Sequence, residues 1–282
     1  MHLQQILAAA DHSAEGRAAI LAAARLAQAA GGSVIVLTVT EADGGLTGES
    51  HQPEGLRRIT QAMLAGLTDA PGVQYATVAG LPGIEICRFA EECGADVIVM
   101  GRKCRSERQR LLIGDTADAV ARRSAVPCLF VPAEQGTFTR VIAALDGTER
   151  GFAVLLAAAE FAREIGGHLR AVTVEPEYRN EIGVSRVPTG RSARLAQAVG
   201  DLRASMEHRA GRPSGLIVDP GEPLVIHRGE VVEEITREVD RHGADVLVVG
   251  YHRGGPAGVI EAGSVARRLT HETACAVLTI PL

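Results

Sequence analysis

At 282 residues the chain exceeds one average domain, so length predicts two domains of roughly 140 residues each rather than one large one. With 46% hydrophobic residues, 22% charged, 3% aromatic and no Trp, the composition is that of a soluble α/β protein with a core of Ala, Val, Leu and Ile, and it excludes disorder and fibres. The 29 basic residues are 28 Arg and the single Lys103, which excludes a G-x-x-x-x-G-K-[ST] phosphate loop and leaves any Schiff-base chemistry to Lys103 alone; the net charge of −5 argues against nucleic acid as a partner.

Short β-branched runs alternate with amphipathic segments along the chain. Ile6 to Ala10 predicts a strand, Ala14 to Ala30 an Ala-rich helix ended by Gly31-Gly32, and Ser33 to Val39 the next strand. Glu54 to Leu67 predicts a helix, Val73 to Val78 a strand, and Pro82 to Cys93 a helix with Pro in its first turn. Val97 to Met100 is a buried strand, Thr116 to Arg123 a short helix and Cys128 to Val131 a final strand. The order then recurs, with strands near Val141 to Leu145, Leu169 to Val174, Leu224 to His227, Val246 to Val249 and Ala276 to Ile280.

The recurrence is a duplication. Gln5 to Asp11 (QILAAAD) matches Arg140 to Asp146 (RVIAALD), and Gly31-Gly32 matches Gly166-Gly167, at an offset of 135. Further on, Gly94-Ala95-Asp96-Val97 matches Gly243-Ala244-Asp245-Val246, and Gly101 and Gly114 match Gly250 and Gly263, at an offset of 149. The second copy therefore holds 149 − 135 = 14 extra residues between about Val174 and Asp219, around Pro188-Thr189-Gly190 and Gly211 to Val218, which form either a lid or a longer surface excursion. With a junction near Pro132 to Thr139, the domains are 1–135 and 136–282. Five strands alternating with four helices in each make a parallel, doubly wound sheet.

The five cysteines are odd in number and form no C-x-x-C pair, and the N-terminus lacks a basic region followed by an apolar one; a reducing cytoplasm is the expected location. No apolar run reaches the ~18 residues of a membrane span, so no membrane partner is expected. Cys87 and Cys93, six apart on one predicted helix, are read as small buried hydrophobes on different faces, and Cys128 and Cys275 as buried hydrophobes of the last strands. His12, His227, His242 and His252 have no second His or Cys at a ligand spacing; they are read as surface histidines, and no metal site is expected.

In a doubly wound sheet, ligands bind beyond the carboxyl ends of the strands, where the winding direction reverses. After the first strands stand Asp11-His12-Ser13 and Asp146-Gly147-Thr148; after the fourth stand Gly101-Arg102-Lys103-Cys104 and Gly250-Tyr251-His252-Arg253. A second Gly leads into the last helix, as Gly114-Asp115-Thr116 and Gly263-Ser264-Val265. Glycine followed by a hydroxyl residue at a helix start offers backbone N–H groups and a positive dipole end to a phosphate. Asp11 with Ser13 is read as a helix cap; for Asp146 with Thr148, capping and ligand contact both stay open.

The run after the fourth strand resembles the G-x2-G-x9-G-[ST] signature of the universal stress protein family, whose nucleotide-binding members hold ATP phosphates with it. It stands as Gly250-(2)-Arg253-(9)-Gly263-Ser264 in copy two and as Gly101-(2)-Cys104-(9)-Gly114-Asp115 in copy one, which lacks both the second Gly and the hydroxyl. The resemblance extends to the aspartates after strand 1 and to GADVIVMG and GADVLVVG, and makes the chain look like a tandem universal stress protein, of Rossmann-like fold with strand order 3-2-1-4-5 in each domain. It implies that Asp146 and the main chain at Val174 hold the adenosine, with Ala144 at the binding-site position where the family often has Pro, and that Gly250, His252, Gly263, Ser264, Val265 and Ala266 surround the phosphates. Arg253, in the second Gly place, either pairs with phosphate or closes the loop by its bulk.

In copy one, Asp115 would set a carboxylate against phosphate, at a cost of order ~4 kcal/mol for unit charges 4 Å apart at an effective dielectric of 20. No ATP is expected there. The segment from Arg102 to Arg110 carries a net +4 in nine residues and is read as a solvated basic loop. The resemblance implies a cytoplasmic stress-response or regulatory protein that binds an adenine nucleotide (ATP, or ADP or AMP) in its C-terminal domain, with an unknown protein partner. The apolar last strands of the two copies are expected to cover each other as an intramolecular pseudo-dimer, a homodimer staying open. No paired carboxylate, nucleophile-base pair or metal set marks an enzyme, so ATP hydrolysis is at most slow and incidental. Two other readings stay open: a nucleotide-free protein-interaction module of the same family, and an enzyme acting on a phosphorylated substrate around Lys103.

Overall fold

A computed structural model of the chain describes residues 1–40, 53–65, 71–102, 115–133, 136–175, 178–180, 183–185, 190–208, 217–218, 223–251 and 264–282. Two compact units emerge, the first built on Met1–Gly136 and the second on Thr137–Gly250 with Gly263–Ile280.

In the first unit, β1 (Gln5–Ala9), α1 (Ala14–Ala30), β2 (Ser33–Thr40), α2 (Pro53–Leu64), β3 (Val73–Ala79), α3 (Pro82–Glu92), β4 (Val97–Arg102), α4 (Asp115–Arg123) and β5 (Cys128–Pro132) follow the predicted order, shifted only at their ends. α1 starts where the Ser13 hydroxyl accepts the Gly16 amide at 2.9 Å, and stops where Gly31 takes φ 68°, a conformation that a side chain would strain. Every strand pair is parallel, in the order β3-β2-β1-β4-β5. Right-handed crossovers then set α1 and α2 on one face and α3 and α4 on the other, and the winding reverses between β1 and β4.

Beneath α3 and α4 lies an apolar core of Leu7, Leu37, Ile98, Met100 and Phe130 against Ile86, Ala90 and Val120. Cys87 and Cys93 both border this one cluster, which corrects the expectation of different faces. Six residues turn a helix through about 600°, leaving the thiols ~120° apart, within one wide apolar stripe. Burial pushes both thiols above the ordinary cysteine range, the opposite of what a nucleophile needs.

The second unit holds β6 (Arg140–Leu145), α5 (Glu149–Glu164), β7 (His168–Glu175), β8 (Tyr178–Asn180), β9 (Gly183–Ser185), α6 (Gly190–His208), β10 (Ile217–Val218), β11 (Leu224–Arg228), α7 (Val231–His242), β12 (Val246–Tyr251), α8 (Ser264–Glu272) and β13 (Ala276–Pro281). Its main sheet runs β11-β7-β6-β12-β13, the same order as in the first unit. The expectation of five strands misses three short ones: β8 and β9 pair antiparallel, and β10 pairs with the first two residues of β7. Strands of two or three residues have no periodicity to detect. The 14 extra residues fall in this stretch, where α6 also runs 19 residues against 12 for α2. Pro188, Thr189 and residues 211–216 lie outside the described residues.

The shared Gly-Ala-Asp-Val segment is a structural device. Gly94 and Gly243 end α3 and α7 at φ 64° and 56°, and the aspartate that follows clasps the start of the first strand. Asp96 Oδ2 accepts the amides of Gln4 and Gln5, each at 2.9 Å. Asp245 Oδ2 accepts the amides of Thr139 and Arg140 at 2.9 Å and the Thr139 hydroxyl at 2.8 Å, while Arg140 Nη2 lies 3.2 Å from Oδ1. Burial alone would raise the Asp245 pKa, but these donors outweigh it and hold the carboxyl at about 2. Among the described residues, no helix is long and apolar enough to cross a membrane.

Candidate functional site

In the second unit the winding reverses between β6 and β12, which run side by side with Ala144 in register with Val249; on its other flank Ala144 pairs with Val172 of β7. Because the three strands are parallel, Ala144, Val174 and Gly250 all stand toward their carboxyl ends. The buried Thr173 hydroxyl donates to the Leu145 carbonyl at 2.8 Å and ties the ends of β6 and β7 together. Ala144, Val174 and Gly250 are half-buried.

The chain leaves β6 through Asp146, which is exposed, and Gly147, whose φ of 72° is the left-handed region. Asp146 Oδ1 accepts the Thr148 amide at 2.9 Å and its hydroxyl at 2.7 Å, and the Thr148 oxygen accepts the Gly151 amide at 3.4 Å. One carboxylate oxygen is therefore committed to capping α5, and Oδ2 has no described partner. α8 opens at Ser264, with Val265 exposed and Ala266 buried behind it. A helix that connects two parallel strands starts beyond their carboxyl ends, so Ser264 lies on the same side of the sheet as Asp146. His252, Arg253 and Gly263 lie outside the described residues.

The first unit repeats this layout with different contents. Asp11 Oδ1 accepts the Ser13 amide at 3.0 Å and also the Ser13 hydroxyl, the expected cap. His12 stands where the second unit has Gly147, and its Nε2 is buried without a hydrogen-bond partner. Its reading as a surface histidine is therefore corrected. α4 opens at Asp115; Lys103, Cys104 and the rest of 103–114 lie outside the described residues, and with them most of the basic segment. Among the described residues no group of three or more His, Cys, Asp or Glu is placed to hold a metal ion.

The model of the universal stress protein family matches this chain twice, over residues 2–132 and again over 137–281. The chain belongs to the universal stress protein family. Solved structures agree in fold: a universal stress protein from Archaeoglobus fulgidus DSM 4304 superposes with a TM-score of 0.68 at 18% identity, covering 100% of this chain and 99% of that one. A putative universal stress protein from Pseudomonas aeruginosa UCBPP-PA14 gives 0.67 at 16% identity, covering 99% and 93%. No curated protein matches the sequence.

The two halves of this tandem universal stress protein differ where strand 4 meets the first helix. A Cβ at Gly101 would lie 2.2 Å from the Glu15 carbonyl oxygen, so backbone of the first turn of α1 presses on the end of β4. A Cβ at Gly250 would instead meet the side-chain tips of Leu282 at 2.5 Å and Val154 at 3.0 Å. Sequence reasoning missed this difference, and it missed Gly147 as a residue with a conformational role, although the Asp-Gly pair was a turn signal. It also read His227 and His242 as surface histidines. His227 Nε2 is hydrogen-bonded to the buried Glu238 and His242 Nε2 lies 3.2 Å from it, with side chains 15% and 30% exposed.

Proposed function

We propose that this universal stress protein is a cytoplasmic, non-enzymatic stress-response protein that binds an adenine nucleotide, ATP or its di- or monophosphate, in a C-terminal domain of residues 136–282. The N-terminal domain, residues 1–135, carries a degenerate motif and takes no ATP. Ala144, Asp146 and the Val174 main chain hold the adenosine in this reading. Gly250, His252, Arg253, Gly263, Ser264, Val265 and Ala266 surround the phosphates.

The observation that carries the reading is the contrast between the two strand-1 loops. In the second unit the loop turns through Gly147 and has no side chain there, beside an exposed carboxylate at Asp146 that the first unit matches with an exposed Asp11. In the first unit His12 stands at that position with its Nε2 buried, and helix backbone presses on Gly101. A helix start such as that of α8 supplies N–H donors to phosphate without a lysine.

Acid release of small molecules from the purified chain, followed by calorimetric titration with ATP, tests this. Carried nucleotide or binding heat supports the reading. Neither, at millimolar ATP, overturns it in favour of a nucleotide-free interaction module.

A further inference from the structure

The duplication allows each core position of the second unit to be set beside its counterpart in the first. At the two offsets Ile35, Val78, Phe89 and Cys93 correspond to Arg170, His227, Glu238 and His242. The first four belong to or pack against one apolar cluster beneath α3. The second four form a polar network around a carboxylate that is 1% exposed. Glu238 Oε2 lies 2.9 Å from His227 Nε2 and 3.3 Å from Arg241 Nη1; Oε1 lies 3.2 Å from His242 Nε2 and 3.4 Å from Arg170 Nη1. His227 Nδ1 faces Glu234 at 3.7 Å, Glu234 pairs with Arg237, and Arg228 reaches across to Glu175 at 3.3 Å.

Hydrocarbon contacts hold elements together but tolerate small sliding, whereas charge-assisted bonds to a buried group fix distance and angle. A buried carboxylate deprived of its partners is costly, so arrangements that separate Glu238 from them are disfavoured. The strands it ties are those of the ligand edge. Arg170 belongs to β7 and His227 to β11, and His227 stands in register with Val174. We propose that Glu238 is a positioning residue of the nucleotide site: from α7 it grips β7 and β11 and sets where the Val174 main chain meets the adenosine. The inference rests on the nucleotide reading above.

Two variants of the full chain test it, by amide hydrogen exchange and by calorimetry with ATP. Glu238→Gln keeps the shape and removes the charge; amides of 172–175 and 225–228 should exchange at least tenfold faster while those of β12 and β3 do not change, and ATP should bind at least fivefold more weakly. Arg170→Ile, His227→Val, Glu238→Phe and His242→Cys together install the first unit's residues; this variant should regain wild-type thermal stability yet still bind ATP at least fivefold more weakly. Unchanged exchange in Glu238→Gln, loosening spread evenly over the second unit, or wild-type ATP affinity in a folded fourfold variant overturns the proposal. Failure of the wild type to bind ATP is a different result: it overturns the nucleotide reading, and the ligand role of Glu238 falls with it.

Discussion

A Cβ on Gly151 would lie 2.8 Å from Asp146 Oδ1, whereas in the first unit a Cβ on Gly16 would lie 2.3 Å from the Asp11 carbonyl oxygen. A carboxylate can rotate aside and a strand-end carbonyl cannot. Gly16→Ala should therefore destabilise the chain by roughly 2 kcal/mol, an overpacking cost. Gly151→Ala should leave stability within about 1 kcal/mol, because the gain in helix propensity offsets the displaced side chain. Its effect should fall on ATP binding, through the moved Asp146. Thermal unfolding and calorimetry of the pair check both statements.

Asp146→Asn separates capping from ligand contact. The amide oxygen still accepts from Thr148, so the melting temperature should stay within about 2 °C of wild type, as for a stability change under ~0.5 kcal/mol. The charge is lost, and ATP should bind about tenfold more weakly, ~1.4 kcal/mol. Unchanged affinity would reduce Asp146 to a helix cap.

Asp245 makes part of the stability pH-dependent. Its folded pKa of about 2 lies below the ordinary 3.8, so its contribution is complete above pH 3.8 and is lost as pH falls through about 2. The depression corresponds to about 2 kcal/mol. Asp245→Asn should cost about that much at pH 7, and the gap between variant and wild type in denaturant midpoint should close between pH 3.8 and 2. A gap that persists below pH 2 would assign the loss to packing instead.

The proposed nucleotide site predicts unequal sensitivity at the two matching glycines. Gly263→Asp should abolish ATP binding by setting a carboxylate against phosphate, whereas Gly114→Asp should leave the calorimetric isotherm unchanged. Equal losses at both positions would move the site out of the second copy or place one in each.

The element order, the duplication and the strand-end aspartates were legible in the chain because their signals are local. Gly31 ends α1 and Gly94 and Gly243 end α3 and α7, as glycine must where φ is positive. Ser13 and Thr148 announced their helices, and the structure adds that each hydroxyl is also bonded to the aspartate two residues earlier. The short strands β8, β9 and β10 were not legible, since two or three residues carry no period. Nor was the difference between Gly101 and Gly250, which sit in matching motifs but under different neighbours.

By itself the sequence determined that two copies of one α/β unit stand in tandem and that both carry an aspartate after strand 1. Periodicity and glycine punctuation repeat within each copy, and need no partner to be read. Only the tertiary structure decided that Glu238 is buried and that His227 and His242 turn toward it. That outcome depends on Arg170, 68 residues away, arriving on the neighbouring strand to offset the cost of burying a charge. The same holds for Asp245, whose donors Thr139 and Arg140 are more than 100 residues distant. A charged residue at an apolar helix position has no fixed meaning until its partners are placed, because its burial is stable only with them.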